Sequence, residues 1–295
     1  MSILLFLYYK CGFTLIGTHH KTGFKLGSWN DVAWLEKKIG EHDEKPGNIL
    51  LINELPTGLL KSILGEYFDM KKALFWDFDG TLIHANESFL ESLHSTLESC
   101  GHDIQTDIIR KFLRSTSSWY TPEVSYTDKI GEKWWDTLFQ KFGVFYDTHG
   151  IVKAEHEKLN TLFRNRVTDF RTYTLYGDAT AVLRECMSRG YKNYIISNNY
   201  PELPATIKDF GLSEYFTEYF VSANIGYEKP RIEIFQYALN AADSPEIRYM
   251  IGDNPIADIQ GGKAAGMKTV LVNKDGDYDC DYKCAKLSDI PAHLI

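Results

Sequence analysis

From Ala73 onward, short apolar runs alternate with stretches whose apolar residues recur at helical spacing. Ala73 to Phe78 is a compact apolar run interrupted by Asp77, and Asp79 and Gly80 follow it. Tyr194 to Ile196 runs into Ser197, Tyr249 to Ile251 runs into Gly252 and Asp253, and Thr269 to Val272 supplies a later strand. Asp178 stands where it would cap a helix carrying Val182, Leu183, Cys186 and Met187 on one stripe, and Gly190 would end that helix. The alternation predicts an α/β fold: a doubly wound, Rossmann-like, mostly parallel sheet with helices on both faces.

Between Phe89 and Thr174 the strand signals vanish and helical stripes replace them, which predicts an inserted α-helical module. Ile130, Trp134, Leu138 and Phe142 fall at helical spacing, so Trp134 and Trp135 are expected in its core. Trp119 and Tyr120 sit among Ser, Thr and Pro122 in a loop-like stretch, and packing is the expected role for them too. The organisation read from pattern alone is an N-terminal accessory region (1–69), a core made of 70–88 and 175–295, and the helical insert (89–174).

The first region shows order of its own. Ile3 to Tyr9 and Asn48 to Asn53 read as strands, Ser28 could cap a helix carrying Val32, Leu35 and Ile39, and a second helix would start at Pro56. A piece this small is near the limit of independent stability, so it is expected to lean on something else, and it is the natural place for a protein partner to dock. Met70 could equally be an alternative initiator or an internal methionine following the accessory region.

Composition narrows the classes. With 295 residues, 44% of them hydrophobic, the chain can build one sizeable core or two modest ones. A net charge of -8 without a clustered basic run argues against a nucleic-acid partner. The apolar start, Met1 to Tyr9, lacks a basic leader and is far shorter than the ~20 residues a membrane span needs. No membrane is therefore expected, and the default address is the cytoplasm. Five scattered cysteines suit a reducing compartment; Cys280 and Cys284 form a CxxxC that lacks a second pair to complete a zinc shell. The acidic stretch Asp275 to Asp281 fails as a calcium loop, because Cys280 and Lys286 occupy the required glycine and glutamate positions.

Four short islands carry the chemistry: Asp77-Phe78-Asp79-Gly80-Thr81, Ser197-Asn198-Asn199, Lys229-Pro230, and Gly252-Asp253-Asn254 with Asp258 behind it. Each lies at or beyond a predicted strand's C-terminal end, where open α/β sheets place ligands. Any one alone is most simply a turn, a cap or a surface lysine. Together they hold what phosphoryl transfer needs: an in-line nucleophile, a proton donor and positive charge around the transferred group. Asp77 and Asp79 are two apart, so one can attack phosphorus while the other works as general acid and then base. Two close carboxylates repel each other and a phosphate, so Mg2+ is expected, with Asp253 as a further ligand and Asp258 orienting Lys229 or a bound water. Ser197, the Asn198 amide and Lys229 would meet phosphate oxygens.

At these residues, from about Met70 to the C-terminus, the chain resembles the haloacid dehalogenase-like (HAD) hydrolase superfamily, whose signature is DxDGT, then Ser or Thr, then Lys, then an acidic GD motif. The stretch from Gly261 to Met267 extends the resemblance. It implies Asp77 as nucleophile, Asp79 as acid/base, Ser197 and Lys229 as phosphate binders, and Mg2+ on Asp77, Asp253 and the Asp79 backbone carbonyl. The helical insert looks like the family's C1 cap. His84 and Arg231 stand where many relatives carry acids, which bears on the subfamily and not on the reaction. The implied activity is a Mg2+-dependent phosphatase acting on a small phosphorylated metabolite, since Asp79 argues against carbon-halogen hydrolysis. A phosphomutase and a catalytically silent binding protein remain as alternatives.

Overall fold

The computed structural model describes residues 8, 11–25, 27–38, 59 and 70–295, and the chain divides into two compact units, 1–64 and 65–295. In the first, Thr14–Lys25 (β1) and Ser28–Glu36 (β2) form an antiparallel hairpin that pairs His19 with Val32 and Lys25 with Ser28. Gly27 adopts φ +78° in the connection, a conformation that costs glycine little. The helix expected from Ser28 through Val32 and Leu35 is therefore a strand. Aromatic and β-branched residues fit a pleated ladder better than a helix, and Phe24 and Trp29 pack across the pair with ring centroids 5.3 Å apart. Tyr8 is helical; the rest of the expected Ile3–Tyr9 strand, the Asn48–Asn53 strand, Ile39 and the helix start at Pro56 lie outside the described residues.

The second unit is built on a six-stranded parallel sheet in the order β5-β4-β3-β6-β7-β8. Its strands are Lys72–Trp76 (β3), Tyr191–Ser197 (β4), Phe216–Val221 (β5), Ile247–Gly252 (β6), Lys268–Val272 (β7) and Tyr282–Cys284 (β8). Strand β3 lies centrally, so both of its faces must be apolar. Leu74 and Trp76 enter one apolar cluster with Leu183, Ile195 and Val270, whereas Ala73 and Phe75 enter a second with Ile234, Phe235 and Met250. The two-residue side-chain period thus builds one core on each face, and each fully buried large side chain contributes about 1.5–3 kcal/mol. This is the Rossmann-like α/β fold that the apolar runs predict.

Four helices form the insert: Ser88–Ser99 (α1), Thr106–Thr116 (α2), Glu132–Thr148 (α3) and Lys153–Val167 (α4). The chain leaves and re-enters the sheet unit through a short paired stretch, in which His84 N–H donates to the Thr174 carbonyl at 2.8 Å and Tyr176 N–H to the Leu82 carbonyl at 3.0 Å. Trp134, Trp135, Leu138 and Phe142 are buried, but α3 begins at Glu132 and leaves Ile130 exposed ahead of it. Trp119 packs edge-on to Phe89 with centroids 4.8 Å apart, while Tyr120 is largely exposed and contributes little packing.

Helix α5 (Ala179–Ser188) buries Val182, Leu183 and Cys186 and leaves Met187 exposed. Asp178 precedes it without capping it, because its carboxylate accepts the Ser288 N–H at 2.9 Å instead. Gly190, at φ +83°, ends the helix region as expected. Further helices follow at Leu203–Asp209 (α6), Ser222–Ile225 (α7), Ile232–Ala241 (α8) and Gly261–Ala264 (α9). Among the described residues, no helix is long and apolar enough to cross a membrane.

Candidate active site

Strand ends bring the islands together. Asp77 follows β3, and its N–H donates to the Ile251 carbonyl of β6 at 2.9 Å, which fixes the strand exit. Ser197 ends β4, and its hydroxyl donates to Asp77 Oδ1 at 2.7 Å. Lys229 Nζ lies 3.0 Å from the same oxygen and 2.6 Å from Asp258 Oδ1. All four groups are buried. Burial opposes the charge of Lys229, but Asp258 and Asp77 hold its ammonium above the ordinary lysine value.

The lysine is positioned from its backbone as well. Asn198 Oδ1 accepts the Lys229 N–H at 2.7 Å, and Asn198 Nδ2 donates to the Lys229 carbonyl at 3.0 Å. The Asn198 side chain is thus committed to the lysine's main chain, which leaves its backbone N–H as the amide that could meet phosphate, and the peptide between Lys229 and Pro230 is cis. Asp258 in turn takes the Asn254 N–H on Oδ2 at 3.0 Å, so both of its oxygens are engaged. Asn254 caps the turn over Pro255–Gln260 by accepting the Ile256 and Ala257 N–H groups, each at 3.0 Å.

Asp79 faces elsewhere. Its Oδ1 accepts Asn86 Nδ2 at 3.1 Å and its Oδ2 accepts Asn199 Nδ2 at 2.6 Å. Burial, with the Asp77 charge behind it, pushes this carboxyl up to about 6 despite those bonds. A carboxyl poised there can carry a proton near neutral pH and give it up. The motif reading did not assign Asn86 or Asn199. Asn199 was visible as the third member of its island, whereas nothing in the sequence around Asn86 marks it.

Asp77, Asp253 and Asp258 each present a carboxylate oxygen within 4.8 Å of the others. This group contains the expected Asp77 and Asp253 side chains and adds that of Asp258; the ligand expected from Asp79 is its backbone carbonyl, which is not a side-chain atom. Asp258 is held by Lys229 and Asn254 and so orients the lysine, while Asp77 and Asp253 are side chains that could hold a cation. Burial and the Asp77 charge push the Asp253 carboxyl up to about 6. Gly80, at φ +74°, makes room for it: a Cβ there would stand 2.5 Å from Asp253 Oδ2. A hard, oxygen-preferring dication such as Mg2+ fits this donor set.

Beside Asp79 opens a cavity of about 360 Å³, with Phe89, Arg114, Ser117, Trp119 and Tyr173 in its lining. Insert and sheet unit also meet directly behind Lys229. Glu228 is fully buried, and its Oε1 accepts the Ser118 hydroxyl at 2.6 Å and the Tyr126 hydroxyl at 2.5 Å.

The model of the haloacid dehalogenase-like hydrolase family matches residues 71–266. Among curated proteins, the chain is 33% identical over 127 residues to phosphoserine phosphatase of Thermus thermophilus, covering 42% of this chain and 49% of that protein. It is 27% identical over 210 residues to the human haloacid dehalogenase-like hydrolase domain-containing protein 3, covering 68% of this chain and 81% of that one. Among solved structures, the HAD-hydrolase YfnB of Bacillus subtilis, bound to magnesium, superposes with a TM-score of 0.56 at 20% identity, covering 76% of this chain and 99% of YfnB.

Proposed function

Because the chain belongs to the haloacid dehalogenase-like hydrolase family, we propose that this enzyme is a Mg2+-dependent phosphatase that hydrolyses a small phosphorylated metabolite through an aspartyl-phosphate. The observation that carries the reading is the convergence on Asp77 Oδ1 of the Ser197 hydroxyl at 2.7 Å and the Lys229 ammonium at 3.0 Å. Both donors stand beside the nucleophile, where the oxygens of a transferring phosphoryl group would arrive.

A carboxylate oxygen of Asp77 attacks phosphorus, the bond from phosphorus to the leaving oxygen breaks, and Asp79 delivers its proton to that oxygen. Water then attacks the acyl phosphate, Asp79 takes the water's proton, and inorganic phosphate leaves with Asp77 restored. Bound Mg2+ would supply the charge that lets two anions approach, held by Asp77, Asp253 and the Asp79 backbone carbonyl. Asn86 and Asn199 hold Asp79, Asn198 and Asp258 hold Lys229, and Ser197 and Lys229 grip the phosphate. The helices of 89–174 act as a C1-type cap that closes the cavity against water, and 1–69 forms an accessory region suited to a protein partner. Five unpaired cysteines suit a reducing, cytoplasmic setting.

The test is phosphate release from a panel of phosphorylated metabolites with Mg2+, with EDTA, and with Asp77→Asn. Release is expected to fall by about 10³-fold or more in both perturbed arms. Release that survived both the chelator and the substitution would rule this mechanism out.

A further inference from the structure

The cavity beside Asp79 contains a second set of donors, on the insert side, that the proposed reaction does not use. The last two turns of α2 and the residue after it present Arg110, Leu113, Arg114 and Ser117 to the cavity, the i, i+3, i+4, i+7 face of one helix. Two guanidinium groups on one face repel unless something neutralises them. Arg110 is neutralised: its Nη2 lies 3.0 Å from Glu87 Oε2 and its Nη1 2.6 Å from Asp107 Oδ1. Arg114 forms no ion pair among the described residues; the acid whose charge acts on it, Glu87, is already paired with Arg110.

Ser117, one turn further on, is 3% exposed and its hydroxyl has no hydrogen-bond partner. A buried hydroxyl left unsatisfied is rare, and this one belongs to a residue that lines the cavity. A free guanidinium and a free hydroxyl together suit a charged, acceptor-rich ligand, which describes a carboxylate or a phosphate. A neutral planar group could stack on Trp119 but would make no ion pair with Arg114.

We propose that Arg114 and Ser117 form a second anion subsite in this cavity, selecting phosphomonoesters whose leaving group carries a further carboxylate or phosphate. The proposal rests on the phosphatase reading and names its substrate class. Cavities of this size take small molecules, so the leaving group is compact. Phe89, Leu113 and Trp119 line the same cavity beside the exposed Arg114 side chain.

The experiment compares kcat/KM for three alkyl phosphates of equal length ending in a carboxylate, a phosphate or a hydroxyl, with p-nitrophenyl phosphate as a general monoester, all with Mg2+. Wild type should prefer an anionic end over the hydroxyl end by roughly 10- to 100-fold, the range of a charge-assisted hydrogen bond, mostly through KM. Arg114→Ala should bring that ratio close to one, and Ser117→Ala should lower it less. Arg114→Lys should retain part of it, because the charge stays while the planar fork is lost. Whichever anionic arm gains more identifies the group. A wild-type ratio near one, a ratio unchanged in Arg114→Ala, or a nucleoside monophosphate preferred undiminished in that variant would overturn the subsite. If no monoester at all is hydrolysed, p-nitrophenyl phosphate included, the phosphatase reading itself falls and takes the subsite with it.

Discussion

Gly80→Ala tests whether the backbone at the first motif exists to place Asp253. The added Cβ would stand 2.5 Å from Asp253 Oδ2, 2.6 Å from its Cγ and 2.8 Å from Oδ1, against an ordinary contact beginning at 3.4 Å. The carboxylate must therefore withdraw by about 0.9 Å, and a displacement of ~1 Å at a reacting centre can cost about 10²-fold in rate. Separately, φ of +74° at residue 80 strains any L side chain by about 1–2 kcal/mol. For a unit of this size each kcal/mol moves the melting temperature by about 2–4 °C, so the strain alone lowers it by roughly 2–8 °C, and the collision with Asp253 lowers it further. Phosphate release would be measured across a Mg2+ titration, with thermal melts in parallel. The variant should need more Mg2+ and turn over about 100-fold slower while remaining folded. In the Asp253→Ala background the same substitution should cost only the backbone strain, because the colliding atoms are gone. Wild-type Mg2+ dependence in Gly80→Ala, or an equal stability cost in both backgrounds, would refute the steric argument.

Two further predictions concern the groups around the site. Asn199→Ala removes the 2.6 Å bond to Asp79 Oδ2, so kcat should drop about 10-fold for an alkyl phosphate but less for p-nitrophenyl phosphate, whose leaving group needs little protonation; equal losses on both substrates would separate Asn199 from proton transfer. Glu228 lies above its ordinary value of 4.5, chiefly through burial, so its contribution to stability is full below that value and fades as pH rises through the folded-state value. Wild type should therefore lose stability relative to Glu228→Gln as pH climbs above the usual carboxylate range, by about 1.4 kcal/mol per unit of the shift. Melts with a pH-independent difference between the two proteins would contradict this.

The sheet was legible because its strands are buried on both faces. Such strands are continuous apolar runs, and the runs at β3, β4, β6 and β7 needed no partner to be recognised. Strands β5 and β8 were not read. Phe216–Val221 carries polar residues through its middle, and Tyr282–Cys284 is only three residues long. The hairpin over residues 14–36 was missed because Val32 and Leu35 fit a helical stripe as well as a strand, and only pairing with β1 separates the two. Ile130 was drawn into α3 by spacing alone, although Gly131 at φ +60° stands between it and the helix.

What the sequence determined by itself was the order of the chemical islands and their attachment to strand ends, since those are properties of residue type and spacing. Asp77, Asp79, Ser197, Lys229, Asp253 and Asp258 could all be named from that pattern. Only the tertiary structure decided what each side chain spends its bonds on. Asn198 holds the lysine's backbone, Asp258 holds its ammonium and is held in turn by the Asn254 N–H, and Asn86 and Asn199 hold Asp79 from two sides. Asn199 and Asp79 are 120 positions apart, and Arg114 shares a cavity with Asp79 across the boundary of the helical insert. Spacing along a chain carries information over one or two turns of an element. Contacts closed over a hundred residues depend on how helices and strands pack, and they appear only once the chain has folded.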